Sequence, residues 1–165
     1  MKNLKDYLSY LKLGIEKLDL LKLQKIENII FKKIKENKKI FVCGNGGSAS
    51  VANHFLCDFN KGIKLSSKNK LKPKIVSLSD NMETVLAVAN DISFNKIFSF
   101  QLDNYFSKGD IVILLSCSGS SPNIVDTLEY CKKNKIFTIS ITGFAKKNIQ
   151  KKANVNLNLE INNYG

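Results

Sequence analysis

The chain has no arginine. All 26 basic residues are lysines, set against 14 acidic ones among 165 residues, for a formal charge of +12. Arginine is the usual bidentate reader of guanine and phosphate. Its absence ranks nucleic-acid binding below a plain solvated lysine surface, which would also help gather anionic metabolites. The lysine, Asn and Ile usage matches a bias toward A- and T-rich codons. No two of Cys43, Cys57, Cys117 and Cys131 are spaced as CxxC, so no zinc-ribbon or redox signature is present. They read as reduced thiols, most of them small core fillers. No apolar run reaches the roughly 20 residues of a membrane span, because lysines interrupt the leucine-rich start. That start also lacks a signal-peptide core and a small-residue cleavage site. A cytoplasmic protein without a membrane partner is expected.

What is present fits one ordinary globular domain: 44% hydrophobic and 24% charged residues in a chain long enough for a real core. Residues 1–37 carry Leu4, Leu8, Leu11, Ile15, Leu18, Ile26, Ile29 and Ile30 at helical spacing, a stripe suited to a helical oligomerisation segment. Gly14 is the expected break between two helices. Beyond it, strand-like runs at Ile40 to Cys43, Lys74 to Ser79, Asp110 to Ser116, Ile136 to Thr142 and Val155 to Ile161 alternate with helix-like ones. The latter are Ser48 to Asn60, Glu83 to Val88, Phe94 to Phe106 and Pro122 to Lys133, while lysine-rich Lys61 to Lys72 reads as a loop. This order implies an α/β fold, a three-layer doubly wound five-stranded parallel sheet with leading N-terminal helices. In such sheets ligands bind beyond the carboxyl ends of the strands, so the informative loops follow Cys43, Ser79, Ser116 and Thr142.

The first of these reads Gly44, Asn45, Gly46, Gly47, Ser48. Glycines permit a sharp turn and close approach, and a helix starting there offers free N–H groups and a positive dipole end to an anion. No GK[ST] follows, Ala49 replaces the last glycine of GxGxxG, and no acidic residue stands about 20 residues on to hold a ribose. A sugar phosphate therefore suits the loop better than a nucleotide cofactor. The loop after the third strand, Ser116 to Asn123, holds four serines before Pro122, with Pro122 placed to open a helix. It is either a serine-rich turn in which Ser121 caps the helix or a second phosphate cradle, and two such loops at strand ends favour the cradle. His54, the single histidine, shares a helix face with Asp58 four residues on. The pair is either structural or a proton-transfer and metal-ligand pair. Asn90 and Asp91 either precede a cap made by Asp91 or Ser93 or meet substrate hydroxyls.

Taken together, GNGGS followed by His54, the AND of AVANDISFNKIFS, and SCSGSSPNIV resemble the phosphoheptose isomerase family, which carries the sugar isomerase (SIS) domain. The resemblance implies interconversion of sedoheptulose 7-phosphate with D-glycero-D-manno-heptose 7-phosphate, feeding surface-polysaccharide synthesis such as lipopolysaccharide or capsule. It implies a homo-oligomer, a tetramer, with sites shared between subunits. By the same resemblance Asn45, Gly46, Gly47 and Ser48 contact substrate, Ser116, Cys117, Ser118 and Ser121 hold the phosphate, and Asn90 and Asp91 meet the sugar. Asp58 is then the catalytic base, and His54 a catalytic residue or, with Asp58, a zinc ligand. Many members have glutamate where Asp58 stands. The family also continues after the last strand into a helix bearing a Gln or Glu and a histidine, which has no counterpart before Gly165. The alternative expectation is a non-catalytic SIS module, a phosphosugar sensor or a protein-binding adaptor.

Overall fold

The computed structural model describes residues 3–144 and 152–161. Helices α1 (Leu4–Glu16) and α2 (Leu20–Lys35) lead into β1 (Lys39–Cys43). The break between the helices falls at residues 17–19, not at Gly14. Asp19 starts α2 by accepting the Lys22 N–H at 3.0 Å, an N-cap that competes well with helix continuation. Gly14 is instead buried inside α1, where an added Cβ would lie 2.2 Å from Ile161 Cδ1. Its small size serves tertiary contact.

β1 is followed by α3 (Gly47–Cys57), a π-helical segment (Asp58–Ile63), a short α4 (Lys64–Ser66) and β2 (Lys74–Ser77). The first part of the Lys61 to Lys72 stretch is thus helical rather than loop. Next come α5 (Met82–Val88), a second π-helical segment (Ala89–Ser93), a 3₁₀ turn (Phe94–Lys96), α6 (Ser99–Tyr105) and β3 (Ile111–Ser116). The expected single helix from Phe94 to Phe106 is therefore two pieces. α7 (Pro122–Lys133) has the bounds expected from its proline and amphipathic spacing, and β4 (Phe137–Thr142) and β5 (Val155–Asn158) complete the sheet.

All four strand pairings are parallel, in the order β2-β1-β3-β4-β5. Alternate side chains of each strand face opposite layers, so the sheet has two cores. Phe41, Cys43, Val112 and Leu114 pack against Phe98, Leu102, Ile124 and Leu128 of α6 and α7 and the turn before them. Ile40, Val42, Ile111, Ile113 and Ile139 pack against Ile26, Ile30 and Ile34 of α2 and Ala52 of α3. Phe41 and Phe98 are almost fully buried, each worth about 1.5–3 kcal/mol in apolar burial. This double packing fixes where β1 and β3 end, and hence where α3 and α7 begin.

Among the described residues no helix is long and apolar enough to cross a membrane. An apolar groove of about 640 Å³ runs along α2 between Ile30, Phe31, Phe55 and Phe59. Leu4, Leu8, Ile15, Leu20 and Leu21 stand exposed on the leading helices.

Candidate functional site

The crossing point of a doubly wound sheet lies between β1 and β3, the neighbouring strands whose helices go to opposite faces. Both glycine- and serine-rich loops leave the sheet there. After Cys43 the backbone turns at Gly46, whose φ of 52° and ψ of −124° suit glycine and strain other residues. Asn45 O then accepts the N–H groups of Ser48 (2.9 Å) and Ala49 (3.4 Å), closing the first turn of α3. Ser79, at the end of the neighbouring β2 crossover, holds Gly44 from both sides. Its Oγ donates to Gly44 O at 2.9 Å and accepts from Gly44 N at 3.3 Å.

The second loop is built by its own hydroxyls. Ser116 Oγ is buried and accepts the Gly119 N–H at 3.1 Å. Ser118 Oγ accepts from Ser120 N and Oγ at 3.3 and 3.0 Å. Cys117 O takes the N–H groups of Gly143 and Phe144 at 3.0 and 2.8 Å, stitching the loop to the end of β4. Ser121 occupies the N-cap of α7, yet its side chain makes no cap hydrogen bond, so the helix start is not closed by its own cap. Ser116 thus shapes the loop, while Ser118, Ser121 and the Asn123 N–H, the first in α7 after Pro122, stand where an oxyanion can be met, the Ile124 and Val125 N–H groups being taken by Ser121 O.

A side-chain pair missed by sequence reasoning joins the loops. Asn45 Nδ2 donates to Asn123 Oδ1 and Asn123 Nδ2 donates to Asn45 Oδ1, each at 2.8 Å. The signal in the sequence is a polar pair, Asn123 and Thr127, on the face of α7 that also carries Ile124, Leu128 and Cys131. A cleft of about 190 Å³ opens beside this junction, lined by Gly44, Asn45, Gly46, Ser79, Phe94 and Phe98 among others.

His54 and Asp58 continue the stripe that begins at Gly47 and passes Val51 on the outer face of α3. His54 Nε2 and Asp58 Oδ2 are 3.0 Å apart, with side chains 77% and 56% exposed. Counting residues, His54 lies about 10 Å and Asp58 about 16 Å down the helix from Gly47 at ~1.5 Å per residue. The pair is therefore not at the loop itself but two to three turns below it. Asp58 opens one π-helical segment and Asn90 and Asp91 sit in the other, a conformation concentrated at functional positions. Asn90 Nδ2 donates to Asp91 Oδ1 at 2.8 Å, and the cap at this point is supplied by Ser93, whose Oγ accepts from Asn95 N at 3.2 Å. Both residues are exposed and neither lines the cleft.

Burial drives the Cys43 thiol well above its usual range, with Cys131 adding to the shift. Burial likewise pushes Cys131 to about 12. These two are inert core fillers. Cys57 is exposed and Cys117 half-buried, so the expectation of core filling holds for two of the four. For zinc, His54 and Asp58 are two donors where three or four are required. No group of three or more His, Cys, Asp or Glu side chains poised for a metal occurs among the described residues, so these do not fit a resident zinc ion.

Residues 5–143 match the SIS domain family. The phosphoheptose isomerase of Thermodesulfovibrio yellowstonii is 35% identical over 120 residues, which are 73% of this chain and 58% of that protein. That of Helicobacter pylori strain P12 is 32% identical over 142 residues, 84% of this chain and 72% of that protein. The chain thus spans less than two thirds of the first relative's length. The structure of phosphoheptose isomerase GmhA from Neisseria gonorrhoeae superposes with a TM-score of 0.79 at 25% identity, covering 94% of this chain and 80% of that one.

Proposed function

The chain belongs to the SIS-domain family and, within it, to the phosphoheptose isomerases, and from that premise we propose that it interconverts sedoheptulose 7-phosphate and D-glycero-D-manno-heptose 7-phosphate. The observation that carries this reading is one helix with an anion cradle at its first turn and a carboxylate–imidazole pair along its outer face. From C1 of a heptose 7-phosphate to phosphorus there are eight bonds, a contour of roughly 12 Å at about 1.5 Å per bond. A phosphate held by Gly46, Gly47, Ser48, Ser118 and Ser121 would let C1 and C2 reach the level of His54, and the Asp58 carboxylate is turned back to within 3.0 Å of His54 Nε2.

In this reading Asp58 takes the proton from C1 of the ketose, the electrons form the C1–C2 enediol, and a proton returned to C2 yields the aldose. His54, hydrogen-bonded to Asp58, orients the carboxylate and exchanges protons with the enediol oxygens. Phosphate binding far from the reacting carbons fixes their position and restricts their motion. The proton transfer is written with these side chains alone, since zinc would find only two of its donors here. Asn90 and Asp91 would meet sugar hydroxyls once substrate draws the two segments together. The exposed leucines of α1 and α2 and the apolar groove beside them support a homo-oligomer, a tetramer in this reading. A neighbouring subunit would then cover the open His54–Asp58 face. The setting proposed is the cytoplasm, and the pathway surface-polysaccharide synthesis.

The test is turnover of sedoheptulose 7-phosphate by the purified chain, followed by aldose formation, with and without a C-terminal extension carrying a relative's following helix. Turnover in either form supports the isomerase, and turnover only with the extension places further catalytic groups there. Phosphosugar binding without turnover in both would replace it with the sensor reading.

A further inference from the structure

Asn123 has no exposed surface, lies at the second position of α7, and spends its side-chain amide on a residue 78 positions away. The two bonds with Asn45 form a closed ring in which each amide donates once and accepts once, at 2.8 Å both ways. The backbone of each partner is tied to a helix start. Asn45 O accepts from Ser48 N at 2.9 Å, and Asn123 O accepts from Thr127 Oγ1 at 2.6 Å. The ring therefore connects the first turn of α3 directly to the first turn of α7, the two N-termini that face the candidate anion site.

We infer that the Asn45–Asn123 ring is a clamp that sets the separation and angle of the two phosphate loops, making Asn123 a positioning residue and leaving the half-buried Asn45 amide one further N–H for a ligand. The inference rests on the phosphosugar reading of these loops. It has a definite physical basis, because an amide pair is directional. Removing Asn45 leaves a buried donor and acceptor unpaired on Asn123, and removing Asn123 releases the half-buried Asn45, so either way the loops lose a fixed spacing as well as a contact. A phosphate gripped by both helix starts requires that spacing within a few tenths of an ångström.

The experiment compares Asn123→Ala, Asn45→Ala and the double variant in three readouts: amide hydrogen exchange across residues 44–48 and 117–121, thermal midpoint, and kcat and KM for sedoheptulose 7-phosphate. Asn45 is only half-buried, so its variant keeps the test open if Asn123→Ala folds poorly. Each single change is expected to speed exchange in both loops, including the one it does not belong to. KM should rise about tenfold, the consequence of one lost hydrogen-bond pair, with a smaller change in kcat and a double variant no worse than either single one. A lowered midpoint with loop exchange and KM as in the unaltered chain would make the ring mere structural glue and overturn the clamp. If the unaltered chain neither binds nor turns over the phosphosugar, the functional reading falls, while cross-loop exchange still decides whether the clamp exists.

Discussion

At the carboxyl end of the sheet, the loops GNGG after β1 and CSGSS after β3 carry no charged side chain. At the amino end, where α2 and α7 finish, Lys32, Lys33, Lys108 and Lys135 rim a cleft of about 570 Å³ floored by Ile29, Phe106 and Phe137. The second cleft is larger, but helix C-termini converge on it, and their partial negative charge attracts lysines and repels anions. Its lysines are explained as complements to those helix ends. The phosphate-suited end instead presents helix N-termini and hydroxyls. Between these two clefts, the lysines rim the one at the amino end, and neutral dipoles line the candidate site.

The largest expected effect tests the chemical half of this contrast. Asp58→Asn keeps shape and polarity but cannot take up a proton from carbon. kcat for sedoheptulose 7-phosphate should fall by about 10²–10⁴-fold, the usual worth of a general base, with KM nearly unchanged. Steady-state kinetics decide it. A variant retaining full kcat would move the base elsewhere and leave His54–Asp58 as a surface pair.

Next in size is Gly46→Ala, which addresses the backbone of the cradle. Nothing lies within 4 Å of the added methyl, so any cost comes from holding alanine at φ 52°, ψ −124°. Such strain is worth about 1–3 kcal/mol. Relaxing it re-aims the N–H groups of the first turn of α3. Thermal unfolding should show the loss and KM should rise with it. A lowered midpoint with constant KM would detach the loop from substrate.

The matching change at the opposite end is Asp110→Ala. Asp110 is 4% exposed and accepts from Lys39 N at 2.9 Å and Ser107 N at 3.0 Å, with Lys39 Nζ 3.8 Å away. Truncation strands two backbone donors at a cost of about 1–3 kcal/mol, or several degrees in midpoint at this chain length. Because the damage is confined to the amino end, KM should stay as it was. A parallel rise in KM would mean the two ends are mechanically coupled.

How much of this was legible in the sequence follows from the range of each interaction. Strands buried on both faces appear as apolar runs such as IFVC and IVILLS, and α7 announces itself through Pro122 and its apolar spacing, so sheet and crossing point could be placed from local pattern. Both phosphate-suited loops could be placed for the same reason. Gly14 misled because the need for a small residue comes from Ile161, far along the chain. The π-helical turns at Asp58 and at Asn90 have no residue code of their own. The distance from loop to His54–Asp58 required knowing that α3 runs unbroken. The Asn45–Asn123 ring depends on two residues whose proximity only the fold creates.

The smallest expected effect is also the sharpest test of the charge argument. Composition alone suggested that a charge of +12 would gather phosphorylated metabolites, whereas the placement of Lys32, Lys33, Lys108 and Lys135 argues for little contribution from these four to the bound state. β3 spans six residues, roughly 20 Å at about 3.3 Å per residue, and the Debye length is about 8 Å at physiological ionic strength. Charges at one end are therefore screened from an anion at the other by more than two screening lengths. Replacing Lys32, Lys33, Lys108 and Lys135 together with glutamine should change KM by less than about twofold at that ionic strength. Raising salt from 0.05 to 0.2 M, roughly halving the screening length, should leave KM of the unaltered chain equally flat. A steep salt dependence that disappears in the quadruple variant would show that the amino-end lysines reach the substrate after all, and the division between scaffold charge and site dipoles would have to be abandoned.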